Sequence, residues 1–203
     1  MIAILTGDII NSRKLAPKDW IADFKALLST IGTTPRQWEI YRGDEFQVEI
    51  DQPEKSLLTA LRIKAFLRSR SLDARMAIGI GDKNHQGDRI SESNGSAFVR
   101  SGEQFDQLKQ QKVTLAINSG DEAFNVEINL MLRLALAIMD NWLAQSGAFA
   151  LAAIENPGLS QEELGMRLGI NQAAVSRRQK RAHYDLIMDL EKYVSNRISI
   201  LNQ

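Results

Sequence analysis

The chain of 203 residues contains no cysteine. A disulfide framework, a thiolate metal centre and a cysteine nucleophile are therefore excluded. It also has no excess of one charge, because 25 Lys and Arg balance 25 Asp and Glu. That rules out a uniformly basic nucleic-acid coat but leaves room for a local basic patch. Long hydrophobic runs are missing too. The opening MIAILTGDII is apolar, but Asp8 interrupts it too soon for a signal-peptide core or a membrane span. The expectation is a cytoplasmic protein with no membrane partner. No internal repeat and no low-complexity tract is visible. What is present, 44% hydrophobic and 25% charged residues, is the composition of a soluble globular protein. The length suits one core, or one domain of about 130–150 residues with a small appendage.

The order of elements follows from the spacing of apolar residues. Met1 to Thr6 reads as a buried strand stopped by Gly7 and Asp8. Pro17 opens a helix in which Trp20, Phe24, Leu27, Leu28 and Ile31 recur at helical spacing, ended by Gly32 and Pro35. Strands at Gln37–Arg42 and Phe46–Asp51 flank a Gly43-Asp44 bend, and Phe46, Val48 and Ile50 alternate with Gln47 and Glu49. A second helix starts at Pro53 and a strand covers Ala74–Ile80. Residues 82–95 form a polar loop whose His85 has no neighbouring ligand partner, then a helix spans Ala97–Leu108 and a strand Val113–Ile117. The order β-α-β-β-α-β-α-β predicts an α+β fold: a ferredoxin-like split βαβ domain over residues 1–120. After Asp121 only helical spacing remains, so residues 121–203 are predicted to be an all-α domain, with the long stretch to Asn156 broken into two helices at Gly147.

This topology places Asp8, at the end of the first strand, beside Asp44, at the hairpin bend. Two carboxylates held close repel each other unless a hard cation lies between them, and Mg²⁺ favours one or two carboxylates with phosphate oxygens. Gly43 suits a bend that needs positive φ or close approach of a nucleotide to the backbone. The alternative is a loop cap at Asp8 and an ordinary Asp-Gly bend at Asp44. Arg13 and Lys14 beyond the first strand, and Arg100, could meet phosphates; each could equally be a solvated surface cation.

The segments LTGDII, YRGDEFQ and ARMAIGIG, in that order and spacing, resemble the nucleotidyl cyclase palm of class III and diguanylate cyclases. Over nearly the whole chain the sequence resembles the SatD family of bacterial proteins. The resemblance implies metal ligands at Asp8, the Ile9 carbonyl and Asp44, with Glu45 as an accessory carboxylate; a nucleotide held there would lie near Arg13, Gly43 and Arg100, the residues read above as possible phosphate and backbone contacts. Departures limit it. Val99 and Glu103 stand where class III cyclases carry a catalytic Asn and Arg, and Arg42 replaces the first glycine of the diguanylate cyclase hairpin. Loss of a cation and a polar donor where charge develops would cost several kcal/mol of barrier. A nucleotide-binding domain without turnover is the expectation, rather than an enzyme.

Residues 160–182, SQEELGMRLGINQAAVSRRQKRA, carry the most specific pattern. Ser160 and Glu163 form a capping box, Leu164 and Leu168 one apolar face, and Gly169 the sharp turn. Asn171 or Gln172 starts a second helix whose Val175 packs back on Leu164, while Gly165 permits close approach. This resembles a helix-turn-helix. Gln172, Ala173, Ser176 and Arg177 would face a DNA groove, with Arg178, Lys180 and Arg181 beside the phosphates. Five cations face two carboxylates between residues 160 and 184. The competing reading is a helical hairpin that only packs on a neighbour. The tail carries Ile187, Leu190, Val194, Ile198 and Leu201 as a coiled-coil-like stripe, which either closes a homodimer or covers the small domain's core. Three functions follow in order: a regulator that binds a nucleotide or metal and DNA, a non-catalytic scaffold, and a Mg²⁺-dependent phosphoryl-transfer enzyme.

Overall fold

A computed structural model describes residues 1–12, 16, 20–41 and 43–201. The chain is α+β, a five-stranded mixed sheet with helices on both faces and a helical C-terminal part. The strands are β1 (Ile2–Ile10), β2 (Trp38–Tyr41), β3 (Glu45–Ile50), β4 (Asp73–Gly81) and β5 (Leu115–Asn118). Their order is β2-β3-β1-β4-β5, with β4 and β5 parallel and every other pair antiparallel. β1 therefore lies between β3 and β4, as the split βαβ order requires.

Alternation along the strands divides the sheet chemically. One face carries Leu5, Ile9, Phe46, Val48, Met76 and Ile78, all buried against α1 (Ile21–Ser29) and α2 (Ser56–Ser69). Phe24 of α1 stands edge-on to Phe46 with ring centroids 5.2 Å apart, a contact worth about 1 kcal/mol beyond its buried area. The other face is polar over β1, β3 and β2. Over β4 and β5 it is covered by α3 (Ser96–Gln111), whose Phe105 and Leu108 pack on Ala77 and Ala116. Close seating of α3 depends on Gly79, where a Cβ would come within 2.2 Å of the Ala97 carbonyl.

Beyond Asn118 the described chain is helical: α4 (Glu122–Met139), α5 (Ala144–Glu155), α6 (Gln161–Leu168), α7 (Gln172–Ala182) and α8 (Tyr184–Leu201). α5 packs along α2, and one apolar core runs from the sheet through both to Leu164, Val175, Val194 and Ile198. No helix among the described residues is long and apolar enough to cross a membrane.

Two boundaries differ from those read in the sequence. β1 does not stop at Gly7 but pairs with β3 as far as Asp8 and with β4 as far as Ile10, with Gly7 opposite Phe46 and Met76 and Asp8 opposite Glu45 and Arg75. Glycine belongs in this strand because a Cβ there would lie 2.6 Å from the Phe46 ring. The long helical stretch breaks at 140–143 and not at Gly147. Trp142 turns inward at the break, its indole N–H donating to the Ala182 carbonyl at 3.0 Å and its own carbonyl accepting from Arg68. Gly147 lies inside α5, where a Cβ would meet the Ser69 amide nitrogen at 2.6 Å, so it sets the approach of α5 to α2. The tail stripe turns inward: Ile187, Val194 and Ile198 are buried in the core.

Candidate functional sites

The polar sheet face is the first site. Register pairing sets Asp8 opposite Glu45, and the Ile9 amide donates to the Asp44 carbonyl at 3.0 Å, so the end of β1 does adjoin the hairpin bend. Gly43 in that bend has φ of +89°, and open space surrounds the position of a Cβ. Both carboxylates have donors of their own. Asp8 accepts both a 2.9 Å bond from Arg75 Nε and a second from Nη2, a forked ion pair across β1 and β4. Asp44 accepts from the Ser12 hydroxyl at 3.1 Å. Among the described residues no group of three or more carboxylate or imidazole ligands is gathered. In this arrangement a guanidinium already engages both oxygens of Asp8.

The same face continues with Thr6, which bonds the Ser101 hydroxyl at 3.0 Å and accepts from Gln47 at 3.2 Å. Beyond it lie two nearly buried carboxylates, Glu39 and Glu49. Each holds the 82–95 loop to the sheet. Arg89 and Ser91 donate to Glu39, and Lys83 donates to Glu49. The second Glu49 oxygen has no partner among the described residues. Burial, followed by the nearby Glu39 charge, pushes the Tyr41 hydroxyl up from 10.0 to about 12. His85 lies in this loop and pairs by backbone with Asn94.

The remaining sequence-derived candidates sort by position. Arg100 lies at the far end of the sheet, where it donates to the Ile80 carbonyl at 2.6 Å. Gly81 beside it pairs with Ile2, six residues from Asp8 along β1, roughly 20 Å at strand rise. Arg100 and Asp8 therefore do not share a pocket. Val99 and Glu103 are both exposed on α3. Arg13, Lys14 and Arg42 lie outside the described residues. Sequence reasoning missed Arg75, Lys83 and Arg89, the three cations that neutralise this face. Alternation in β4 puts Arg75 between buried Ala74 and Met76, but only the register shows that it meets Asp8.

The second site is the α6–turn–α7 unit. Ser160 accepts from the Glu163 amide at 3.3 Å while the Glu163 carboxylate accepts from the Ser160 amide at 2.8 Å. These bonds hold the Glu163 carboxyl below its ordinary range. Gly169 ends α6 at φ +65°, and the Ile170 amide then bonds back to the Gly165 carbonyl at 2.9 Å. A Cβ at Gly165 would press on the Ile170 carbonyl at 2.7 Å, so glycine there permits the tight turn. Asn171 caps α7 by accepting from the Ala174 amide at 2.9 Å. Val175 and Leu164 are buried together, as expected.

α7 buries Val175 and Ala182 and turns Gln172, Ala173, Arg177, Lys180 and Arg181 outward, with Ser176 and Arg178 half-buried. None of Arg177, Arg178, Lys180 and Arg181 forms an ion pair among the described residues. Gln179 bridges Gln161 and Asp185 with bonds of 2.8 Å each. The Gln172 amide donates to Gln161 at 2.6 Å, which fixes the start of α7 against α6.

No family model matches the chain, and no curated protein matches it.

Proposed function

We propose that the chain is a DNA-binding regulator: a helix-turn-helix carried on a ferredoxin-like, nucleotidyl cyclase-like palm that has lost catalysis. The observation that carries the reading is the outward face of α7. There a capped helix on a glycine turn presents three exposed cations and the half-buried Arg178, none with a carboxylate partner among the described residues. Unpaired cations cost little in water and gain by neutralising phosphates, with release of counterions. In this reading Gln172, Ala173, Ser176 and Arg177 face base edges, and Arg178, Lys180 and Arg181 grip the backbone. Selection from a randomised duplex pool followed by gel-shift measurement tests it. Wild-type protein should enrich a sequence, and Arg177→Ala with Arg178→Ala should lose binding at least tenfold; equal binding by the variant would refute the assignment.

For the palm, the resemblance to the SatD family and to cyclase domains supplies the expectation of a nucleotide ligand. The Asp8–Arg75 pair supports a silent site, since the carboxylate that would hold a metal is already neutralised. Mg²⁺-dependent turnover remains the alternative for this domain. Thermal-shift measurement with nucleoside triphosphates, with and without Mg²⁺, separates the two. A nucleotide that binds only the folded state must raise Tm. Stabilisation independent of Mg²⁺ favours sensing, and product formation abolished by Asp44→Asn would favour catalysis.

A further inference from the structure

Eleven large apolar side chains are exposed among the described residues, and six of them lie on α4 and α8. Val126, Leu130 and Leu134 recur every four residues along a ridge of α4, and Leu186, Tyr193 and Ile200 every seven along α8. Such spacings put each set on one side of its helix. Between the helices runs an apolar groove of about 370 Å³, walled by Leu134, Ile138, Leu186, Leu190 and Tyr193. Leu134 is 67% and Leu186 59% exposed, although the inward stripe of α8 already closes the core. The two helices that wall the groove are also bonded to each other. Glu127 of α4 accepts from the Tyr193 hydroxyl and from Arg197 at 2.8 Å, tying the two walls together. Contiguous apolar surface of this kind marks an interaction site.

We propose that a second copy of this chain covers it, the α4 ridge of each copy lying in the groove of the other. A ridge beside a groove of the same chemistry is self-complementary under a two-fold axis. The charges point the same way. Arg133 beside the ridge and Asp189 on the groove wall are both exposed, and neither forms an ion pair among the described residues. A two-fold pairing sets Arg133 of one copy against the opposite charge of the other, twice. A lipid surface would instead call for a cationic rim.

Sedimentation equilibrium of the full chain tests this, with circular dichroism as the control for folding. Wild-type protein should dimerise, and Leu134→Glu should be a folded monomer, because this side chain is mostly exposed. Arg133→Asp and Asp189→Arg should each weaken the dimer by about tenfold, and the two together should restore it. A wild-type monomer at about 0.1 mM, a dimer untouched by Leu134→Glu, or a double charge swap that fails to recover would each overturn the interface. The proposal stands apart from DNA binding: a dimer that binds no duplex would sink the functional reading alone, and a monomer that still binds one half-site would sink the interface alone.

Discussion

At the scale of single residues, Lys64 is a buried cation set between two carboxylates. Its side chain is fully buried, 2.8 Å from Asp73 and 2.6 Å from Asp140, so it joins β4 to the end of α4. Removing it would leave the nearly buried Asp73 with Arg68, 3.4 Å away, as its cation among the described residues, and Asp140 partly solvated. Lys64→Ala should therefore cost about 3–5 kcal/mol of unfolding free energy in urea titration, far more than an exposed lysine would. Tyrosines give a second expectation. Tyr41, Tyr184 and Tyr193 all titrate above the usual 10.0, the first two chiefly through burial and Tyr193 chiefly through its bond to Glu127. The raised groups hold their protons longer in the folded state, so stability is intact below about pH 10 and falls as pH rises through the folded values. For Tyr41 that window runs from 10.0 to about 12. Absorbance titration at the tyrosinate band should show ionisation delayed past pH 10, and Tyr41→Phe should remove the latest step. Little of this was legible in the sequence. Nothing about Lys64 distinguishes it locally from the exposed Lys55, because its partners come from residues 73 and 140.

Single elements were far more readable, and α6 and α7 most of all. Their caps, turn glycine and inward Leu164 and Val175 are local chemistry, and each lies where the spacing puts it. Ser160→Ala removes one half of the capping box and should cost about 1 kcal/mol, measured by thermal melting. The other half is pH-dependent. Because its bonds to Ser160 hold the Glu163 carboxyl low, their contribution is present above the ordinary carboxylate range and lost on acidification through the lowered value. Helix breaks were less legible. Gly147 looked like an interruption because glycine weakens helices, yet its use is to admit α2, a contact across 80 residues of sequence that periodicity cannot reveal. The end of β1 was misplaced for a similar reason, since Gly7 is held by strands on both sides of it.

On the scale of the whole molecule, the sheet order realises the adjacency of β1 and the hairpin that the order of elements implied. What the sequence left hidden is the cation on the other side of β1. Arg75 is placed by register with β1, not by any motif, and it pairs with Asp8, while Asp44 takes the Ser12 hydroxyl. Sheet and helix-turn-helix are also joined more closely than a boundary at residue 120 suggests. Arg68 of α2 reaches Asp73 at the start of β4 and the Trp142 carbonyl, and the Trp142 indole reaches the end of α7. Trp142→Phe deletes the last of these bonds while keeping most of the buried ring, and should lower stability by about 1–3 kcal/mol. Chemical denaturation followed by far-ultraviolet circular dichroism would register it. The most direct measurement is the salt dependence of duplex binding, by fluorescence anisotropy on the selected sequence. Wild-type protein should lose affinity steeply with salt, and Arg177→Ala with Arg178→Ala should flatten the log–log slope by about 2, roughly 0.9 for each phosphate contact removed. Affinity that is insensitive to salt, or a slope unchanged by the two substitutions, would contradict a DNA-gripping role for α7.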